Sequence, residues 1–342
     1  MESPEYLRMS LAAAMTLGFK EGLFYRNAKS PCVNVLLTYD SGCGGNCAYC
    51  GLSHKRIGEH SKKSFIRVGW PAYKLSDIVE RIKEKNDKVE RICISMITNG
   101  RAKKDTIYLT QVFNENLDIP ISLLIAPTIL KREDLIEFKK VGAERIGISI
   151  DAATPELFEN LRGSGVNGPH KWNKYWTIFE DALEIFGKRM VGIHLIVGLG
   201  ETEKDMANVI QKVYDMGGTT HLFSFYPEVY SALENNAPPP IEQYRRIQLA
   251  RYIIDEGITE VKNFIFDESE KIKDFGIPQN QLKDLVKSGK PFITSGCPNK
   301  KGEVACNRPY SNSRPGEEIR NFPFYPEEED IKKIEEELEI KE

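Results

Sequence analysis

Short apolar runs alternate along the chain with longer stretches in which apolar residues recur every three or four positions. The runs are nearly continuous in Val, Ile, Leu and Phe, which is typical of strands buried on both faces of a parallel sheet. This pattern predicts eight strands, at residues 33–39, 91–97, 121–125, 145–150, 191–197, 220–225, 261–266 and 291–295.

The stretches between these runs show helical periodicity. One predicted helical face consists of Leu75, Ile78, Val79 and Ile82. A second consists of Met206, Val209, Ile210, Val213 and Met216. Thr202 is placed to cap the start of the second helix, and Gly217 and Gly218 follow its end.

Strands and helices in alternation predict an α/β fold, a (β/α)8 barrel of the TIM type, complete or partial. The alternative is a six-stranded partial barrel, with the last two predicted strands in an added lobe. We expect an N-terminal helical extension (1–30), the barrel (31–296) and a C-terminal segment (297–342) with a cysteine-bearing loop and an acidic terminal helix. The chemistry of such barrels lies on the loops after the carboxyl ends of the strands.

Composition narrows the function. The chain has 342 residues, 41% of them hydrophobic, and a net charge of -3, so we expect neither nucleic acid nor a membrane as partner. Acidic residues precede the apolar stretch 7–19, which indicates a helix rather than a signal peptide. Seven cysteines, an odd number with three clustered, suit a reducing, cytoplasmic compartment in which thiols serve metal or redox chemistry.

The clustered cysteines lie in "SGCGGNCAYCGLS" (41–53), directly after the first predicted strand. Cys43, Cys47 and Cys50 are spaced C-x3-C-x2-C, and no fourth ligand follows at metal-binding spacing. A structural zinc site needs four ligands, whereas three thiolates suit a four-iron cluster with one iron open to an outside ligand. A zinc knuckle and a thioredoxin-like Cys47–Cys50 pair are the alternatives.

This motif, with Tyr49 directly before the last cysteine, resembles the signature of the radical S-adenosylmethionine (radical SAM) superfamily. The resemblance implies that the three cysteines hold a catalytic [4Fe-4S] cluster whose open iron binds S-adenosylmethionine (SAM). One-electron reduction would then cleave SAM to methionine and a 5′-deoxyadenosyl radical. By position, further SAM contacts are implied for Tyr49, Thr98, Asn99, Gly100, Ser149, Asp151, Val197, Gly198 and Leu199.

Four cysteines remain outside the motif. Cys297 and Cys306 lie on a polar, Gly- and Pro-rich loop after the last predicted strand, which we expect over the same barrel mouth as the first cluster. They are candidate ligands of a second, auxiliary [4Fe-4S] cluster, with Cys93 and Cys32 as further candidates, although either could be an ordinary core residue. Ser311 and Ser313 are weak candidate oxygen ligands. Arg308 and Arg314 could contact the cluster or the substrate, or they could be ordinary surface residues. Tyr226, Pro227 and Glu228 follow the sixth predicted strand and are candidates to contact cofactor or substrate at the barrel mouth.

A second cluster beside the radical suggests sulfur insertion into an unactivated C–H bond. The chain resembles the biotin synthase and lipoyl synthase branch, but biotin synthase-like enzymes carry cysteines on barrel strands 2, 3 and 5. Here only Cys93 matches, and strand 5 carries His194. The C-terminal "GCP…CNRPYSNSRPG…RNFPF" is most similar to one half of the archaeal two-protein lipoyl synthase.

The resemblance implies three partners. They are an octanoylated carrier protein or peptide, a second radical SAM lipoyl synthase subunit, and an electron donor such as ferredoxin or flavodoxin. The alternatives are a biotin synthase acting on dethiobiotin, a radical enzyme whose second cluster only transfers electrons or anchors substrate, and a non-catalytic metal-binding scaffold.

Overall fold

The computed structural model describes residues 1–312 and 314–339. Its strands are β1 Tyr6–Met9, β2 Cys32–Leu36, β3 Ala72–Lys74, β4 Arg91–Ser95, β5 Ile121–Ile125, β6 Ala143–Asp151, β7 Val191–Val197, β8 Thr219–Ser224, β9 Ile265–Phe266 and β10 Ile272–Asp274. Its helices are α1 Leu11–Thr16, α2 Leu75–Glu84, α3 Ala102–Asn116, α4 Arg132–Lys140, α5 Pro155–Leu161, α6 Trp172–Phe186, α7 Glu203–Asp215, α8 Ile241–Asp255, α9 Gln279–Lys287 and α10 Glu328–Glu337.

Eight strands form one sheet in the order β3-β1-β2-β4-β5-β6-β7-β8. Strands β2 and β4 to β8 are parallel neighbours, whereas β1 pairs antiparallel with both β2 and β3. The predicted α/β class is therefore confirmed, as a partial barrel that does not close. In the described part of the chain, no helix is long and apolar enough to cross a bilayer.

Both helical faces predicted from periodicity are confirmed. On α2, the residues buried are the four predicted ones, Leu75, Ile78, Val79 and Ile82. Thr202 caps α7, where its side chain accepts a hydrogen bond from Asp205 N and the Asp205 carboxylate accepts one from Thr202 N. These reciprocal bonds satisfy backbone donors that a helix start leaves without partners.

The last two predicted strands do not join the barrel. Residues 261–266 form a short 3-10 turn and the strand β9, which pairs only with β10. Residues 291–295 contain the end of another 3-10 turn and a single bridge from Ile293 to Phe322. Pro291 has no N–H to give to a ladder, and Ile265 is 60% exposed, so neither run suits a strand buried on both faces.

The N-terminal segment also differs from the expected helix. Its first part is the strand β1, and the helix α1 begins only after Ser10, whose Oγ accepts a hydrogen bond from Ala13 N at 3.3 Å. At the other terminus α10 lies within the predicted acidic helix, and its one buried residue is Ile334. Residues 340–342 of that predicted helix lie outside the described part of the chain.

The C-terminal segment spans the open side of the barrel. It is attached to β8, where Ser295 Oγ accepts from Leu222 N at 2.9 Å and Asn312 Nδ2 donates to Leu222 O at 3.0 Å. On the other side, Arg91 Nε at the start of β4 donates to Pro298 O at 2.5 Å. The segment therefore takes the place of the two missing barrel strands, and it carries Cys297 and Cys306 to the first strands.

We expect Arg245→Met to destabilise the protein by about 3–5 kcal/mol, the cost of breaking a buried ion pair. Arg245 is 2% exposed; it donates to Ile319 O at 2.7 Å and Arg320 O at 2.8 Å, and pairs with Glu337 at 2.6 Å. Methionine would leave two carbonyls and a carboxylate without this donor. Urea-induced unfolding measures the change.

The exposed Lys204–Glu270 pair, at 3.1 Å, provides the control. Lys204→Met is expected to cost less than about 1 kcal/mol, because solvent screens an exposed pair. Equal effects of the two variants would show that Arg245 does not anchor the C-terminal segment.

Candidate active site

The loop after β2 brings three cysteines to the wall of a cavity inside the partial barrel. Cys43, Cys47 and Cys50 are each partly buried and line this cavity, whose volume is about 230 Å³. Backbone N–H groups of the loop face sulfur, since Gly45 N lies 3.3 Å from Cys43 Sγ and Leu52 N lies 3.4 Å from Cys50 Sγ. Such donors stabilise thiolate ligands.

Two glycines keep this loop in close contact with its surroundings. A Cβ atom on Gly45 would lie 3.3 Å from Cys43 Sγ and 2.9 Å from His170 Nε2. One on Gly44 would lie 3.2 Å from Thr98 O, the carbonyl that accepts the Gly44 N–H at 2.6 Å. Three thiols, backbone donors aimed at sulfur and a loop without room for larger side chains fit an iron–sulfur cluster.

The arrangement does not suit a single ion. Across residues 1–312 and 314–339, no three His, Cys, Asp or Glu side chains are positioned to hold one metal ion. A zinc ion needs each thiolate within about 2.3 Å of one point. In a four-iron cluster the thiolates bind different irons and lie farther apart. Three thiols are also one ligand short of the four that a structural zinc site needs, so the zinc knuckle is the less favoured interpretation of the motif.

Burial controls the protonation of these thiols. It raises the pKa of the Cys47 thiol to about 11 and raises the pKa of Cys50 well above its usual range. Both thiols therefore carry protons at neutral pH before iron binds. Cluster assembly must release these protons, so it becomes more favourable as pH rises.

A buried charge network ties the cysteine loop to the end of β6. Tyr49 Oη donates to Asp151 Oδ2 at 2.6 Å, and Arg162 Nη1 donates to the same oxygen at 2.7 Å. Burial raises the pKa of the Asp151 carboxyl, and Arg162 opposes that shift. Asp151 also adopts a positive φ of 66°. The aromatic residue of the motif and the acidic residue assigned to SAM therefore contact each other.

The residues that the resemblance assigns to SAM fall into two groups. Those that line the cavity with the cysteines are Tyr49, Thr98, Ser149 and Asp151. Those outside its lining are Asn99, Gly100, Val197, Gly198 and Leu199. All of these SAM contacts remain predictions.

Local structure explains the second group. Asn99 Nδ2 donates to Ser41 Oγ and Gly42 O, both at 3.0 Å, and so braces the cysteine loop from outside. A Cβ on Gly198 would lie 2.6 Å from Pro239 Cδ, so this glycine permits close packing. The backbone N–H groups of Gly198 and Leu199 donate to the Glu201 carboxylate at 2.6 and 2.9 Å.

The other four cysteines converge near the amino ends of β2 and β4. Asn34 Nδ2 lies 3.5 Å from Cys32 Sγ and 3.4 Å from Cys306 Sγ, and Asn34 is in register with Cys93. A hydrogen bond with Cys32 lowers the pKa of Cys306, whereas burial followed by the charge of Cys306 raises the pKa of Cys93 and of Cys297. Four buried or partly buried thiols thus interact at one place.

The position of this group differs from the expectation. Cys93, Cys297 and Cys306 line the same cavity as the first three cysteines, but they approach from the opposite end of the strands. The expected placement over the shared mouth is therefore wrong. The physical reason is that the predicted strand at residues 291–295 does not form, so the C-terminal segment crosses the open side and places Pro298 beside Arg91 and Cys306 beside Asn34.

Two arginines of that segment have different surroundings. Arg308 lines the cavity, with Nη1 3.5 Å from Cys306 Sγ, Nη2 donating to Ser295 O at 2.6 Å, and its guanidinium over Phe223. Arg314 is exposed. Ser311 lines the cavity, whereas Ser313 lies outside the described residues.

Residues after β8 contribute to the cavity rim. Tyr226 and Glu228 line the cavity, whereas Pro227 is outside its lining. The Glu228 carboxylate accepts from Ser64 Oγ at 2.7 Å and also from Arg67 N. Glu228 therefore joins Ser64 and Arg67 to the segment that follows β8.

Sequence reasoning missed three residues around the first cysteine group, namely Arg162, His170 and Tyr175. All three are buried and line the cavity. The one signal available was the polar, glycine-rich stretch "LRGSGVNGPHKW" (161–172), which contains an arginine and a histidine after a predicted barrel strand.

A partial α/β barrel with three cysteines after its first parallel strand defines a class of iron–sulfur enzymes built around one open iron. The family model described as "Radical SAM superfamily" matches residues 39–213. This is just over half of the chain, and the chain belongs to the radical SAM superfamily. Membership implies a [4Fe-4S] cluster and SAM as cofactors, for which the first cysteine group provides fitting residues.

One solved structure supports the fold, and two others are reported with it as weaker matches. HydG, a maturase of the [FeFe]-hydrogenase, is 13% identical with a TM-score of 0.53, and the match covers 71% of this chain and 53% of that one. Methylornithine synthase is 15% identical with a TM-score of 0.49, covering 70% and 67%. A radical SAM methyltransferase from Sphaerobacter thermophilus is 12% identical with a TM-score of 0.47, covering 73% and 72%. No curated protein matches the chain.

Proposed function

We propose that this chain is a sulfur-inserting radical SAM enzyme and one of the two partner proteins of a lipoyl synthase. Its substrate would be an octanoyl chain amide-linked to a lysine of a carrier protein. The observation that carries the proposal is the second group of cysteines, which opens onto the same cavity as the first. A sulfur source and a radical source are both needed within reach of one C–H bond.

The two groups of cysteines would hold different cofactors. Cys43, Cys47 and Cys50 would hold the cluster that binds SAM, and Cys32, Cys93, Cys297 and Cys306 would hold an auxiliary [4Fe-4S] cluster. With one electron from a donor such as ferredoxin or flavodoxin, the first cluster and its bound SAM would supply a 5′-deoxyadenosyl radical. Four cysteines are a complete ligand set for a cluster, so no serine is required.

The cavity wall suits an alkyl chain. Ser95, two residues beyond Cys93 on β4, is in register with Leu124 on β5. Leu124, Ile196 and Phe223 also line the cavity. Burial of unbranched CH2 groups against such side chains provides about 0.8 kcal/mol per group, which would hold the chain between the two groups of cysteines.

The proposed reaction replaces one C–H bond by one C–S bond. The hydrogen atom would leave with 5′-deoxyadenosine, the sulfur would come from the auxiliary site held by Cys32, Cys93, Cys297 and Cys306, and iron held there would take up the remaining electron. The positive charge of Arg308, 3.5 Å from Cys306 Sγ, offsets negative charge there. Binding of the octanoylated carrier and of the second subunit remains part of the proposal.

A biotin synthase-like reaction is the second candidate function, because Cys93 occupies a position at which those enzymes carry a cysteine. At the corresponding positions on the third and fifth parallel strands, Ser122 and His194 line the cavity. A site with two barrel cysteines, Cys32 on β2 and Cys93 on β4, and two cysteines from the C-terminal segment does not reproduce the biotin-type set. Dethiobiotin is therefore the less favoured substrate.

Anaerobic incubation of the reconstituted protein with SAM, a low-potential reductant and an octanoyl-lysyl peptide tests the proposal, with and without the partner subunit. A mass gain of one sulfur on the peptide is the expected result. Formation of 5′-deoxyadenosine without a thiolated peptide in either condition would contradict sulfur insertion. Parallel incubation with dethiobiotin tests the second candidate.

A further inference from the structure

His170 lies behind the cysteine loop, with its two ring nitrogens in different surroundings. It is 4% exposed and lies between α5 and α6. Nδ1 is 2.6 Å from Thr128 Oγ1 and 3.1 Å from Tyr175 Oη. Nε2 faces the loop, 2.9 Å from the point where a Cβ of Gly45 would lie, and Cys43 Sγ is 3.3 Å from that point.

The partners of Nδ1 determine where the ring proton lies. Arg162 can only donate, and its Nη2 donates to Tyr175 Oη at 2.9 Å. The Tyr175 oxygen is therefore an acceptor there, and its own proton is directed to His170 or Thr128. With a proton on Nδ1, one of these two hydroxyl protons would have no acceptor among His170, Tyr175 and Thr128.

We therefore assign Nδ1 as an acceptor, which puts the proton of the neutral ring on Nε2. Burial, followed by the charge of Arg162, lowers the pKa of His170 to about 3, so the ring is neutral at pH 7. The network thus directs one N–H donor at the Cys43 side of the loop.

We propose that His170 is a positioning residue whose Nε2–H donates a hydrogen bond to a sulfur atom at the Cys43 corner of the catalytic cluster. The acceptor is a thiolate or a bridging sulfide. Hydrogen bonds to these sulfurs set the reduction potential of iron–sulfur clusters, because they stabilise the more negative, reduced form. His170 therefore makes the cluster easier to reduce, whichever radical reaction the chain performs.

Two isosteric substitutions separate the functions of the two nitrogens. The amide of Gln reaches the position of Nε2, so His170→Gln keeps a donor toward Cys43. The amide of Asn reaches only the position of Nδ1, so His170→Asn keeps contact with Thr128 and Tyr175 but loses that donor. Tyr175→Phe is a third variant, in which the histidine stays and Nδ1 loses one of its two hydroxyl partners while Thr128 remains.

The test is a redox titration, followed by electron paramagnetic resonance, of the anaerobically reconstituted full chain without substrate. The catalytic cluster is recognised by the change of its signal when SAM is added. We expect His170→Asn to make reduction about tenfold less favourable, which is about 59 mV for a one-electron couple. His170→Gln is expected to restore the potential, and Tyr175→Phe to shift it in the same direction as His170→Asn by a smaller amount.

Equal potentials in wild type and His170→Asn would overturn the proposal, as would equal shifts in the Asn and Gln variants. A loss of SAM affinity in His170→Asn with no change of potential would also overturn it and would assign the donor to SAM. If His170→Asn fails to bind a cluster, the reduction potential of Tyr175→Phe decides: a lower potential than that of the wild type supports the proposal, and an unchanged potential overturns it. Because no substrate is added, none of these outcomes depends on sulfur insertion.

Discussion

Cys50→Ala, purified without oxygen, is expected to bind about half as much iron as the wild type and to lose SAM cleavage. Two four-iron clusters correspond to about eight irons per chain, and the variant should retain about four. Cys50 is one of three thiols on a loop that has no fourth ligand. Removal of a group that only supports a metal ligand typically lowers metal affinity or activity by about 10–100-fold. Loss of a ligand itself should therefore lower the rate of SAM cleavage by at least ~100-fold.

Cys32→Ala is the matched control, because it removes one thiol from the second group. We expect the same loss of about four irons with 5′-deoxyadenosine formation retained. Iron analysis and chromatography of 5′-deoxyadenosine measure the two effects. If both variants keep cleaving SAM, the assignment of the catalytic cluster to Cys43, Cys47 and Cys50 is wrong.

Cys306→Ala is expected to form 5′-deoxyadenosine at a rate close to that of the wild type and to yield no thiolated octanoyl peptide. Cys306 is 4% exposed and lies at the centre of the second group, next to Cys32, Asn34 and Arg308. Alanine would leave three thiols and an uncompensated Arg308 at the proposed sulfur-donor site. Mass spectrometry of the peptide measures the product.

Ser311→Ala provides a control on the same segment. Ser311 is 4% exposed and lines the cavity, but four cysteines already complete a ligand set. We expect this variant to thiolate the peptide at a rate close to that of the wild type. Thiolation of the peptide by Cys306→Ala would remove Cys306 from the proposed ligand set. If Ser311→Ala were at the same time unable to thiolate the peptide, the serine would take the place of Cys306.

Local patterns predicted the parts of the fold that depend on neighbours in sequence. Six apolar runs became parallel strands because both faces of each run are apolar, and the α2 and α7 faces followed from a 3.6-residue period. The runs at 261–266 and 291–295 look similar in composition. Pro291 argues locally against the second run, whereas the first pairs with β10 instead of β8, a choice that its apolar composition does not determine.

Within the candidate site, the sequence alone determined the loop of Cys43, Cys47 and Cys50, because only five other residues separate the three cysteines and one short loop must therefore present them together. Its location after the first strand also followed from chain order. The sequence contained Cys32, Cys93, Cys297 and Cys306 only as separate cysteines. Most of these cysteines are so far apart in the sequence that their spacing does not predict whether their side chains lie close together.

Only the tertiary structure decided that these four thiols meet, because the C-terminal segment replaces two barrel strands and brings Cys306 beside Asn34. It also decided that Asp151 pairs with Tyr49 and Arg162, and that Nε2 of His170 faces the cysteine loop at Gly45. Hydrogen bonds of this kind join residues that are far apart in sequence, and their directions depend on which partners the fold supplies. Spacing along a chain determines what one loop can bind, whereas packing between distant segments determines what surrounds it.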